Sequence, residues 1–171
     1  MNTNTYIIRK EIPSDIRQID AVTKAAFSSA THASGTEHLI VRALRAYQQL
    51  TISLVAVAGD QLIGHVAISP VTVSSGEAGW FGLGPVSVLP AWQGAGVGSS
   101  LIRAAMAALQ ESSANGCVVL GEPAYYGRFG FRVNERLRYP EAPAEYFQVL
   151  AFDKPVPEGT VQYHDAFYVT E

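Results

Sequence analysis

The stretch richest in chemistry is "VSVLPAWQGAGVGSSLI", Val86 to Ile102. An apolar run leads into three alternating glycines, Gly94, Gly96 and Gly98, and a helix-like run follows. Glycines at a strand-to-helix junction let the backbone approach a ligand closely and leave free N–H groups aimed at it. The dipole of the following helix adds partial positive charge at the same place. Such a junction suits an anion, above all a phosphate.

Three phosphate motifs compete for this stretch. A P-loop ends in Gly-Lys-Ser/Thr, but Gly98 is followed by Ser99 and Ser100, with no lysine. A dinucleotide fingerprint, G-x-G-x-x-G, fails because Ser99 stands at its last glycine. The third pattern, [Gln/Arg]-x-x-Gly-x-[Gly/Ala], is met in full by Gln93, Gly96 and Gly98.

With these residues the chain resembles the GNAT superfamily of acyl-CoA-dependent N-acetyltransferases. Residues 86–102 are similar to its coenzyme A signature, and "YYGRFGF", Tyr125 to Phe131, is similar to a later tyrosine–glycine–aromatic segment. The fuller "GEPAYYGRFGF" resembles a bacterial branch of predicted acetyltransferases. The resemblance covers most of the chain and implies a mixed α/β fold of α+β type. In it a splayed central sheet is flanked by helices, in one domain over residues 1–171.

The resemblance also implies roles. Acetyl-CoA is the expected cosubstrate, without a metal, and a primary amine attacks its thioester directly in a ternary complex. The backbone of Val86, Ser87 and Val88 is expected to pair with pantetheine like an added strand. The N–H groups of Gln93, Gly94, Ala95, Gly96, Val97, Gly98 and Ser99 are expected to hold the pyrophosphate. The Val88 N–H is expected to polarise the thioester carbonyl. Tyr126 matches the family tyrosine that serves as general acid; its spacing to Gly130 and Phe131 favours it over Tyr125. Many relatives carry a glutamate on the strand entering the loop, but "GWFGLGPVSV" has none. Glu37, at the start of the second helix, is the substitute base, or else simply an acid favoured at a helix N-terminus. Glu122, His38, His65 and water are further candidates. Arg128 is either a phosphate contact or a surface arginine. Trp80 to Gly82, Tyr163 and Phe167 either line an acceptor pocket or belong to the core.

The elements that must position these groups follow from periodicity. "TYIIR" reads as a strand. A helix follows over "PSDIRQIDAVTKAAF", capped by Ser14, with Ile16, Ile19, Val22 and Ala26 on one face. "SSATHASG" reads as a loop, and Thr36 as the cap of a second helix that buries Ile40, Val41, Leu44 and Tyr47. Two apolar runs around Gly59-Asp60-Gln61 predict an antiparallel hairpin. "GWFGLGPVSVL" predicts a strand made irregular by Gly82, Gly84 and Pro85. The helix after the glycines and the strand "CVVLG" predict a parallel crossover. "YFQVLAF" and "GTVQYHDAFYV" predict two late strands forming a hairpin.

Composition bounds the rest. The 171 residues are 48% hydrophobic and 16% charged, which is a globular balance. With a net charge of −3 and no basic run, nucleic acid is not an expected partner. No signal peptide and no apolar run of about 20 residues is present, so a cytoplasmic location without membrane contact is expected. The single cysteine, Cys117, reads as a small buried thiol, and four scattered histidines suggest no metal site. Expected partners are a small-molecule or peptide amine and, by the resemblance, a second copy in a homodimer. A non-catalytic acyl-CoA-binding regulatory module is the alternative function, and an unrelated nucleotide-binding protein a third.

Overall fold

The computed structural model describes residues 5–28 and 34–170. The loop expected over 28–35 therefore falls largely outside the described residues. Strand β1 (Ile7–Lys10) precedes helices α1 (Ile16–Phe27) and α2 (Glu37–Ala46). Strands β2 (Ile52–Ala58), β3 (Gln61–Val73) and β4 (Trp80–Val88) then lead into α3 (Val97–Glu111) and β5 (Gly116–Leu120). A one-turn helix α4 (Pro123–Tyr126) and strands β6 (Leu137–Arg138), β7 (Phe147–Ala151) and β8 (Gly159–Tyr163) complete the order. The sheet runs β1-β2-β3-β4-β5-β7, with β8 paired to the far end of β3 and to β6. Pairing is antiparallel except for β4 with β5 and β6 with β8.

The apolar periodicities become two packed faces. Leu101, Ile102, Ala105 and Leu109 of α3 bury against Val66, Ile68 and Val119 on one face. Ile19 and Val22 of α1 meet Val41 of α2 and Val55 and Leu62 of the sheet on the other. Two residues assigned to buried faces are not buried: Tyr47 is 63% exposed and Ile16 38%. Each sits at the end of its helix, where the packed stripe runs out.

Thr36 stands at the N-cap of α2, but neither its hydroxyl nor that of Ser14 makes a cap hydrogen bond. The Asp15 carboxylate, not Ser14, accepts the Ile12 N–H (2.8 Å) and pairs with Arg9 (2.7 Å). The Thr36 hydroxyl instead pairs with Ser34 (2.6 Å). The expected late hairpin is also overturned. β7 pairs with β5 and β8 with β3, because alternation marks a strand but not its partner.

One local irregularity opens the sheet. Between the pairs Val66–Val86 and Ile68–Leu83, β4 holds two residues, Gly84 and Pro85, opposite one on β3. This is a bulge, and proline has no N–H to offer a ladder. The parallel pairing of β4 with β5 covers only Trp80 to Gly82. From Leu83 to Val88 no described strand pairs with that edge. No helix among the described residues is long and apolar enough to cross a membrane.

Candidate active site

The glycine loop starts from a 3-10 turn at Pro90–Trp92. Gly94 (φ 81°) and Gly96 (φ 86°) take left-handed conformations, which turn the chain sharply into α3. Ser100 is the first N–H of this junction to find a helical acceptor, Gly96 O at 3.0 Å. The N–H groups before it are the unsatisfied donors of a helix start. They open on a cavity of about 260 Å³ bounded by Val88, Trp92, the loop, Tyr125 and Arg128. A Cβ at Gly98 would lie 3.0 Å from the Tyr125 hydroxyl. Arg128 stacks 4.5 Å over the Tyr125 ring and reaches Ser99 Oγ at 3.3 Å. The Gln93 N–H is turned back to Pro90 O (3.3 Å), so the free donors begin at Gly94. Ala95 and Val97 offer backbone only: the Ala95 side chain is exposed and Val97 is buried in the core.

Sequence reasoning missed Tyr6. Its hydroxyl meets Ser100 Oγ (2.8 Å) and Gly96 O (3.4 Å), bracing the loop from β1's side, about 90 residues away in the chain. Its distance from the motif left no local signal.

The free edge of β4 carries an alternation that revises one expectation. Leu89 N donates to Ile63 O (2.9 Å), which makes Val88 and Gly64 a non-hydrogen-bonded pair. The backbone groups of Val86 and Val88 therefore point to the open edge, and those of Ser87 point to His65 on β3. Ser87 does not fit the role of pairing with a ligand, because its backbone is committed and its side chain is buried. Gln93 Nε2 donates to Val88 O (3.0 Å), leaving the Val88 N–H on the open edge.

At the other end of this edge lies a cavity of about 380 Å³. It brings together Glu37 from the start of α2 and Tyr126 from α4, residues 89 positions apart, with Leu83 to Val86 between them. Adjacent tyrosines thus divide between two cavities, Tyr125 at the glycine loop and Tyr126 here. Gly121 makes room for Tyr126, since a Cβ there would overlap its ring. Gln148 Nε2 donates to Gly121 O (3.0 Å) and holds that turn. Burial, helped by neighbouring Tyr125, pushes the Tyr126 hydroxyl up to about 12, so it keeps its proton near neutrality. The Glu37 carboxylate accepts from Ser34 Oγ (2.8 Å) and the Gly35 N–H (3.2 Å), which fixes it on the cavity wall.

Tyr163 and Phe167 line this cavity; Trp80 and Phe81 do not. Trp80 is buried with Val118 and Phe147, and Phe81 packs toward α3. Gly82 lets Tyr163 lie against β4, since a Cβ there would come within 2.7 Å of the ring. Glu122 is exposed at the start of α4, outside the cavity lining. His38 faces a separate crevice between α1 and α2. Cys117 is fully buried, and burial pushes its thiol up, which makes it unreactive.

His65 is also removed from the site. It is fully buried, its Nε2 lies 2.8 Å from Ser53 Oγ, and its Nδ1 has no partner among the described residues. Burial, and secondarily Arg45, lower its pKa from 6.5 to about 3. In the unfolded chain it takes up a proton near pH 6.5 that the folded protein refuses. Stability is therefore full above pH 6.5 and falls as pH drops toward 3, by an amount on the order of a few kcal/mol. Asp15, whose pKa Arg9 lowers, adds its loss only below the ordinary carboxylate range. Thermal unfolding from pH 7.5 to 4 is expected to show a steady fall in Tm below pH 6.5. His65→Gln is expected to flatten it; an unchanged slope would contradict this assignment.

Comparison with known proteins gives a consistent result. Residues 49–133 match the family model described as an acetyltransferase (GNAT) domain. The protein described as uncharacterized N-acetyltransferase YhbS of Escherichia coli K12 is 37% identical over 169 residues, covering 94% of this chain and 98% of its own. A GNAT family acetyltransferase from Brucella melitensis, solved in complex with acetyl-CoA, is 48% identical with a TM-score of 0.86, over 96% of this chain and 99% of its own. Escherichia coli YhbS in complex with CoA superposes with a TM-score of 0.88 at 34% identity, over 97% and 93%.

Proposed function

This chain belongs to the GNAT acetyltransferase family, and from that premise we propose that it moves the acetyl group of acetyl-CoA onto a primary amine held beside Glu37 and Tyr126. The observation that carries the reading is the position of the open β4 edge. Val88 borders the glycine-loop cavity and Val86 borders the Glu37–Tyr126 cavity. Two residues of strand span about 7 Å, so one extended ligand laid along them reaches both. Two close relatives solved with acetyl-CoA and CoA support the choice of ligand.

When bound, acetyl-CoA supplies an acyl group activated as a thioester. The free N–H groups from Gly94 to Ser99 and the Arg128 guanidinium hold its phosphates. The outward Val88 N–H pairs with the pantetheine arm, and the outward Val86 N–H, which borders the Glu37–Tyr126 cavity, polarises the thioester carbonyl. Glu37 attracts the acceptor ammonium and takes its proton, freeing the lone pair that attacks. Tyr126 donates a hydrogen bond, and finally a proton, to the departing sulfur. Positioning two reactants in one cleft supplies much of the acceleration. The paired placement of Tyr126 and Glu37 favours turnover over a binding-only module, which needs neither group.

Thermal unfolding with acetyl-CoA, CoA, ATP and NAD tests the ligand. A native-state ligand at 100 times its Kd adds about 2.7 kcal/mol. Stabilisation by the two CoA species alone is expected. Stabilisation by ATP or NAD instead would overturn the reading.

A further inference from the structure

We propose that the acceptor is a small primary amine whose body is apolar or itself cationic, and which carries no carboxylate or phosphate. This rests on the acetyl-transfer reading and deepens it.

The cavity wall carries the argument. Its aromatic residues are Phe27, Tyr126, Tyr139, Tyr163, Phe167 and Tyr168. Among the described lining residues Glu37 alone is charged; there is no lysine, arginine or histidine. A second carboxylate, that of the exposed Glu141, accepts the hydroxyl of the lining residue Tyr168 (2.6 Å). Aromatic faces and carboxylates both attract an ammonium group. An acidic substituent on the acceptor would meet Glu37 with no cation among the described lining residues to answer it, and like charges brought together at a binding site cost heavily. Arg128, the cation nearest in sequence to Tyr126, stacks on Tyr125 and lines the glycine-loop cavity instead. The cavity is open to solvent, and at about 30 Å³ for each water-sized group its 380 Å³ encloses on the order of a dozen non-hydrogen atoms, shared between the acetyl end and the amine-bearing end of the acceptor.

Matched pairs differing only by a carboxylate decide the matter: 2-phenylethylamine against phenylalanine, and 1,5-diaminopentane against lysine. Two readouts are taken on the full chain: thiol release from acetyl-CoA, and calorimetric Kd on protein saturated with CoA. The amine of each pair is expected to exceed its amino acid by about 100-fold in kcat/KM and at least about tenfold in Kd. Glu37→Gln is expected to narrow the Kd gap to within a few-fold. Leu120→Lys, a cation placed at a 38% exposed wall position, is expected to narrow it from the other side. Equal or better binding of the amino acids, no binding of either amine, or a gap that neither variant moves would overturn the proposal. Absence of thiol release with every amine would refute acetyl transfer, and the Kd comparison would still decide the ligand class.

Discussion

Tyr126→Phe is expected to lower kcat about 100- to 1,000-fold while leaving the Kd for CoA within about twofold. A positioned proton donor contributes on the order of 10²–10⁴-fold, and here the hydroxyl is the only group removed. The ring stays, so its packing against Phe131 (ring centroids 6.1 Å) and Tyr125 (5.0 Å) is kept and the fold is not threatened. Tyr126 lies outside the glycine-loop cavity, which is why CoA affinity is spared. The pH profile adds a second check. With the hydroxyl pushed up to about 12, Tyr126 stays protonated through pH 10 and produces no alkaline loss of rate below it. Tyr125→Phe is the control: it removes a hydroxyl from the other cavity and should affect CoA binding more than turnover. Equal effects of the two substitutions on kcat would remove Tyr126 from the mechanism.

Gly98→Ala is expected to raise the Kd for CoA about 10- to 100-fold, which is 1.4–2.7 kcal/mol. The added methyl faces the cavity next to the Tyr125 hydroxyl, 3.0 Å away, where the ligand phosphates would lie. Gly98 lies within α3, where alanine is the better helix former, and this gain is set against the small shift that the Tyr125 hydroxyl must make, so stability should change little. Gly96 is a poorer place for the same test. Its φ of 86° strains any side chain, so a lost affinity there mixes ligand exclusion with backbone strain. Calorimetry with CoA, paired with unfolding of the free protein, separates the two. An unchanged Kd for Gly98→Ala would mean that the phosphates do not lie in this cavity.

Local chemistry was legible in the sequence, and distant partnership was not. The glycine loop could be read because left-handed turns and a free helix start demand particular residues at fixed offsets. The opening of the sheet was foreshadowed by Gly84 and Pro85, which break a strand's ladder wherever it lies. The pairing of Glu37 with Tyr126 followed from the family resemblance rather than from spacing, and the structure places both on one cavity. The partners of β7 and β8 are not legible in the sequence, because residues 121–146 carry the chain away between β5 and its neighbour β7. Ser87 cannot be told from its neighbours in the sequence, which does not reveal which backbone groups of a strand face outward. That follows from the register with β3. Tyr6 and Gly121 act only through residues that the fold brings to them.

Product analysis by mass spectrometry tests acetyl transfer most directly. The protein would be incubated with acetyl-CoA and 2-phenylethylamine, with thiol release followed in parallel. The expected product is an amine carrying one acetyl group, formed in equal amount to free CoA and suppressed in Tyr126→Phe. CoA-dependent stabilisation with no acetylated amine and no thiol release, across this and the diamine acceptor, would contradict it and leave a protein that binds the coenzyme without turning it over.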